Sequence, residues 1–294
     1  MRLGNFKIVE PLPALRRPHV LAALNPWFDV GKPGSLSLER IQRYLGCAEI
    51  GQLERPGHFY DFTRYRPRSI LKEGQREFSI PSTIFRYAVR EEAPDLIFVH
   101  LLEPHMHGED LTDSVVEVLK SLGAQRYSLI GGMYDMVPHT RPLMVSSSPG
   151  ENDADEESAL LKVTPSTYQG PTSITSLIPQ EVATIGLQTR TFVVHLPQYF
   201  QVDEDFTGTA RLMEILCTLY HLPNRLRDAE RGRQQYASLQ NMIKGASETA
   251  SLLKRLEERY DRNQREGEET EPPPLAPGIE RFLRELDQGF DPPA

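Results

Sequence analysis

Two kinds of apolar pattern alternate along the first 225 residues, and their order is that of an α/β fold. Pro18 to Asn25 and Asp95 to Leu102 are near-continuous apolar runs, and the stretch opening at Arg126 reaches Leu129 and Ile130 in the same way. Such runs fit strands covered on both faces of a sheet. Thr191 to Leu196 repeats the pattern, while Ala48 to Leu53, one or two segments within Phe78 to Val89, and Leu143 to Val145 read as shorter strands. Between them the apolar period lengthens to that of a helix. Leu38, Ile41 and Leu45 follow a cap at Ser35 or Ser37 and end before Gly46; Val115, Val116, Leu119 and Leu122 mark Asp113 to Leu122. Ser173 to Leu187 reads as another helix, and Leu212, Ile215, Leu216 and Leu219 give Gly208 to Tyr220 an apolar face. The strand–helix–strand succession from Asp95 to Gly132 is a βαβ unit, expected to be right-handed.

After residue 225 the character changes. Tyr236, Leu239, Ile243, Ala246, Ala250 and Leu253 step by three and four, a short heptad seam that predicts one long helix or a helical hairpin packed on the body or on a second copy. The organisation expected is an α/β domain over 1–225, a helical extension over 226–262, an acidic proline-rich linker over 263–277, and a short amphipathic helix over 278–290 carried by Ile279, Phe282, Leu283 and Leu286.

Composition narrows the partners. The chain has 294 residues and a formal charge of −8, but Glu151 to Glu157 alone holds five acids and no base, and Asp261 to Ala294 holds nine acids against four bases. The acidity is thus expected on a loop and a tail, with a body close to neutral, so no basic stripe for nucleic acid is predicted. No apolar run spans a bilayer and the start lacks a signal-peptide core, so a cytoplasmic protein without membrane partners is expected. Cys47 and Cys217 stand alone, which argues against disulfides and a cysteine zinc site.

Candidate chemistry gathers at strand ends, where open α/β sheets bind ligands. Arg126 to Pro142, RYSLIGGMYDMVPHTRP, runs from a strand into Gly131 and Gly132 and then Tyr134, Asp135, His139 and Arg141. Glu103 to Asp110, EPHMHGED, follows another strand and offers Glu103 and His105. The loop before the first helix carries Asp29, Gly31 and Gly34, and backbone N–H groups at a helix start favour an anion. Arg64, Arg66 and Arg68 alternate on one side of an extended stretch. Asp29, Asp135 and His139 are therefore the candidates for proton transfer. Gly31, Gly34, Arg64, Glu103, His105, Gly131, Gly132, Tyr134 and Arg141 are the candidates for ligand binding. Neither phosphate-loop pattern occurs, nor G-x-S-x-G, nor helical H-x-x-x-H spacing. His105 and His107 with nearby carboxylates invite a metal, but the same polar residues serve to start a helix, and neither metal nor cofactor is expected.

Four stretches together carry a family likeness: Trp27 to Gly31, Pro56 to Pro67 (PGHFYDFTRYRP), Glu103-Pro-His105 with Gly108-Glu-Asp110, and Gly131 to Pro142. Over about residues 8–262 the chain resembles the bacterial branch of the proteasome assembly chaperone family, of the second-chaperone-subunit type. That resemblance implies a three-layer α/β/α sandwich with a mixed, largely parallel central sheet, similar to nucleoside phosphorylases, and self-association, with a trimer as one expected form. It implies a chaperone-like assembly or interaction protein rather than an enzyme, acting on another protein complex. Such chaperones often dock through a C-terminal hydrophobic–tyrosine–any-residue tail; Phe290-Asp-Pro-Pro-Ala294 does not match it. The alternative is a phosphorylase- or hydrolase-type enzyme acting on a small anionic or nucleoside-like substrate.

Overall fold

The computed structural model describes residues 1–72, 74–148, 154–243 and 247–266. Among these residues the elements are, in order, β1 (Arg2–Leu3), β2 (Phe6–Ile8), β3 (His19–Asn25), α1 (Pro33–Leu45), β4 (Ala48–Leu53), β5 (Arg68–Lys72), β6 (Gln75–Ser79), β7 (Ile84–Ala88), β8 (Leu96–Leu102), α2 (Gly108–Ser121), β9 (Arg126–Asp135), β10 (Val145–Ser148), α3 (Ala154–Leu161), β11 (Thr164–Pro165), α4 (Ile174–Thr184), β12 (Gln188–Pro197), α5 (Phe206–Leu219), α6 (Ala229–Ile243) and α7 (Ser247–Glu266). Ten strands form one sheet in the order β1-β2-β4-β7-β8-β3-β9-β12-β10-β11, and β5 with β6 form a separate hairpin. The central strands β8, β3, β9 and β12 are parallel. Antiparallel pairing brings β7, β4, β2 and β1 onto one flank and β10 onto the other.

Alternation along the parallel strands assigns the layers. Val20, Ala22 and Leu24 of β3 point to a cluster completed by Leu111, Val115 and Val118 of α2 and Ile174, Ile178 and Val182 of α4. Leu21 and Ala23 point the other way, to Leu38 and Ile41 of α1 and Leu212, Ile215 and Leu216 of α5. Every residue from Val20 to Leu24 is fully buried, which is why the run shows no polar alternation. The result is a mixed sheet between helical layers, as the sequence predicts.

Several boundaries differ from the sequence reading, each for a local reason. The acidic segment is not all loop: Ala154–Leu161 is helical, and Glu157 is drawn in by Arg126 and Arg190, the second contact being very short. Helix α2 starts at Gly108, inside the polar EPHMHGED stretch, because Glu109 and Asp110 suit the positive end of a helix. The cap of α1 is neither Ser35 nor Ser37. Pro33 opens the helix, and the Asp29 carboxylate accepts from the N–H groups of Gly34 and Ser35, both at 2.7 Å. Strands β1, β2, β5 and β11 are absent from the sequence reading; β1, β2 and β11 are two or three residues long, too short for a period to register.

The heptad seam resolves into two helices. Gln240 of α6 and Glu257 and Asp261 of α7 all reach residues within 139–141. A continuous helix would hold positions 240 and 257 about 25 Å apart, so α6 and α7 are two helices seated on one stretch. Tyr236, Leu239, Leu252, Leu253 and Leu256 are buried, whereas Ala250 is exposed. The expected linker begins inside α7, which runs to Glu266. The rest of that linker and the 278–290 helix lie outside the described residues.

Candidate functional site

The predicted site residues divide into two places. The carboxyl ends of β3 and β8 lead to an open cleft of about 1090 Å3, whose walls include Trp27, Arg64, Tyr65, Glu103, His105 and Ser173. Backbone bonds build its floor: the Phe59 carbonyl accepts from the N–H groups of His105 and Met106, at 2.9 and 3.3 Å. The Asp61 N–H donates to His105 Nδ1 at 3.1 Å, which fixes the ring by leaving Nε2 as its N–H side. Ser173, the cap of α4, donates to Glu103 Oε2 at 3.1 Å. Burial raises the Glu103 pKa, with the Ser173 hydrogen bond opposing. Arg64 lies exposed on the lip. The cleft thus offers a cation, an imidazole and a half-buried carboxylate to a polar ligand, against Trp27 and Tyr65 as apolar surfaces.

None of Asp29, Gly31, Gly34, Gly131, Gly132, Tyr134, Asp135, His139 or Arg141 lines that cleft. The 26–33 loop lies directly on β9. Val30 N–H donates to the Gly132 carbonyl and Gly132 N–H to the Phe28 carbonyl, both at 3.2 Å. A side chain at Gly131 would put its Cβ 2.0 Å from the Phe28 oxygen, and one at Gly132 would meet Pro33 at 2.6 Å. The glycine pair therefore admits the chain's own backbone. Gly31, at φ +64, turns that loop, and a Cβ on Gly34 would stand 2.5 Å from the Ile130 carbonyl. The α1 N-terminus holds an anion, and the anion is Asp29 itself, only 2% exposed. Burial pushes Asp29 up to about 6, while its hydrogen bonds from Ser35 and Gly34 pull the other way.

The remaining polar residues hold elements together. Asp135 accepts from His195 Nδ1 at 2.7 Å, and His195 Nε2 lies 2.9 Å from Ser146 Oγ. Burial acts to raise Asp135, but His195 and the Met136 N–H outweigh it and hold the carboxyl below its usual value. The Asp135 carboxylate accepts from Nδ1–H, and Nε2 faces the Ser146 hydroxyl. This is the order of groups in an acyl-transfer triad, yet the serine and histidine are mid-strand and buried, and none of the three lines the cleft. Here it ties β9, β12 and β10 across the sheet. Sequence reasoning missed His195 and Ser146; the available signal was a histidine inside the apolar run TFVVHL.

His139 is paired with Tyr199, whose hydroxyl donates to Nδ1 at 2.7 Å, and with Gln240, which accepts from Nε2 at 2.6 Å. Burial lowers its pKa, the Gln240 hydrogen bond opposing. Arg141 makes a two-point contact with Asp261, both bonds at 2.8 Å, and a longer one to Glu257. Tyr260 donates to the Pro142 carbonyl. The stretch from His139 to Pro142 is thus the seat of α6 and α7, and Tyr134 is half-buried against the α1/α5 core.

Comparison with known proteins follows the fold. No curated protein sequence matches this chain significantly. A PAC2 family protein from Streptomyces avermitilis is similar in structure, with a TM-score of 0.70, 24% identity, and coverage of 80% of this chain and 99% of that one. A Corynebacterium glutamicum protein of unknown function gives 0.74 at 20% identity, covering 88% and 97%. A Mycobacterium tuberculosis proteasome-assembly chaperone homologue gives 0.69 at 19% identity, covering 80% and 99%. The model of the PAC2 family matches residues 23–238, from the middle of β3 into α6, and on that match the chain belongs to the PAC2 family.

Proposed function

We propose that this chain is a self-associating, chaperone-like protein of the bacterial branch of its family, which helps other protein subunits assemble. The observation that carries this reading is the β5–β6 hairpin. Among the described residues it pairs with no strand of the main sheet, and its ten strand residues are all exposed. Leu71 is 72% exposed and Phe78 66%. Register places Ser69 opposite Phe78 and Leu71 opposite Arg76, so Leu71 and Phe78 are diagonal neighbours on one face. An isolated two-stranded hairpin is marginal in water, and exposed apolar groups on it are what a partner covers. The partner we assign is a second copy, with a trimer as the expected assembly and the cytoplasm as the expected place. The likeness to a proteasome-assembly chaperone homologue supports the assembly role, and a phosphorylase-like architecture, which belongs to the proposal, adds no chemistry to it. Light scattering on the eluting protein tests this. The wild type should elute as an oligomer, and L71S/F78S should shift to monomer with an unchanged circular dichroism spectrum. A monomeric wild type, or an oligomer untouched by the double substitution, would sink the reading.

The cleft favours a second reading, an enzyme or binding protein for a small anionic or nucleoside-like substrate held by Arg64 and His105. Thermal shift with phosphate and nucleosides tests it. Stabilisation of the wild type that is lost in R64A would support it, and the absence of any shift would remove it.

A further inference from the structure

The strongest unassigned cluster lies beside the cleft and not inside it. His58, His107 and Asp110 each present a ligand atom within 4.8 Å of the others, and all three are exposed. His58 ends a single 3-10 turn, Pro56–His58, and His107 is the residue before α2. Forty-nine positions separate the two histidines in sequence. The fold nevertheless stacks their rings, with centroids 4.1 Å apart and planes within 11°. The placement is held from beneath: Phe59, 1% exposed, packs edge-on to both rings and accepts the His105 and Met106 N–H groups. His107 has a left-handed backbone, φ 56, and its side chain caps no helix N–H. It points instead to Asp110, one turn on, with Nδ1 3.4 Å from Oδ2.

We infer that His58, His107 and Asp110 form a binding site for a divalent transition metal ion. Two imidazole nitrogens and one carboxylate suit zinc, cobalt or nickel, whereas calcium and magnesium prefer all-oxygen sets. His107 Nδ1 and Asp110 Oδ2 already stand 3.4 Å apart, close to the spacing of two donors on one zinc ion. The stacked rings aim their in-plane lone pairs nearly parallel, so binding requires the exposed His58 ring to rotate out of the stack until both ring planes meet at the ion. Three protein ligands leave one position of a tetrahedral ion open to water or to a ligand. The cluster borders the cleft, because Gly57 and Met106, the chain neighbours of His58 and His107, line it. The sequence alone pointed away from a metal because His105, His107 and the nearby carboxylates also read as a helix start; in the fold His105 Nδ1 is engaged by Asp61, and the second histidine beside His107 comes from a distant turn.

The test is calorimetric titration of tag-free, chelator-treated full-length protein with zinc chloride. One equivalent per chain is expected, with no saturable heat from calcium chloride. H58A and H107N should lose the equivalent, asparagine being chosen because it tolerates the left-handed backbone, and D110N should weaken it. H221N, at an exposed histidine elsewhere whose backbone is also left-handed, should bind as wild type does. Cobalt substitution provides a second readout, a visible ligand-field spectrum that disappears in H58A. Unchanged melting temperatures of the metal-free variants establish that they fold. A wild type that takes up no zinc, or uptake equal in H58A and H107N, overturns the assignment.

Discussion

His100 makes the stability of this fold depend on pH with a definite sign. Its Nε2 accepts from the Gln42 amide of α1 at 2.6 Å, and the Gln42 oxygen accepts from Arg86 of β7 at 3.3 Å. A second proton on His100 would face an amide N–H with no acceptor available. Burial, with the Arg86 charge adding to it, lowers the pKa from 6.5 to about 4. Between those values the unfolded chain binds more protons than the folded chain, so stability falls as pH drops from 6.5 toward 4 and is complete above that window. Relative to pH 8, the loss at pH 5 from this group alone is about 2 kcal/mol. His19, also lowered to about 4 chiefly by burial, acts with the same sign. The perturbation is His100→Gln, which keeps an acceptor and removes the titration. Urea unfolding followed by far-UV circular dichroism at both pH values gives the difference. The variant should lose about 2 kcal/mol less than the wild type on acidification. Equal losses in the two proteins would refute the account.

Two further outcomes follow from packing. Gly131→Ala drives a Cβ into the Phe28 carbonyl, a backbone atom that cannot rotate away, and should cost about 3 kcal/mol or prevent soluble expression; an unchanged urea midpoint would contradict the close approach. Asp205→Ala removes the cap on the Gly208 N–H and the acceptor of the buried Tyr236 hydroxyl, and should cost about 2–4 kcal/mol in the same assay.

The balance between the two kinds of site shows why the polar cluster at the end of β9 looked reactive. Asp135, His139 and Arg141 are three different types of group within seven positions, a density that sequence reasoning reads as chemistry. The fold spends each on a different neighbour: His195 of β12, Gln240 of α6 and Asp261 of α7. Only Arg64, Glu103 and His105 reach an open surface together, and they come from two segments that Phe59 joins.

The sequence by itself determined the layers. Leu38 with Ile41, Val115 with Leu119, and the unbroken run from Val20 to Leu24 carry their burial in local spacing, because a helix or strand presents its faces at a fixed period whatever it packs against. It also marked the polar exit of β8, whereas β9 runs on through Gly131 and Gly132 to Asp135, past the strand end suggested at Leu129 and Ile130. Tertiary structure decided which of those polar groups meet. His58 reaches His107, Ser146 reaches His195, and Gln240 turns back to His139, over separations that no spacing rule encodes. Strand order sets those meetings, since β3 inserts between β8 and β9 and lays its own exit loop over Gly131 and Gly132. A period of two or of 3.6 residues specifies which side of an element is wet, but only the pairing of distant strands specifies what stands opposite it.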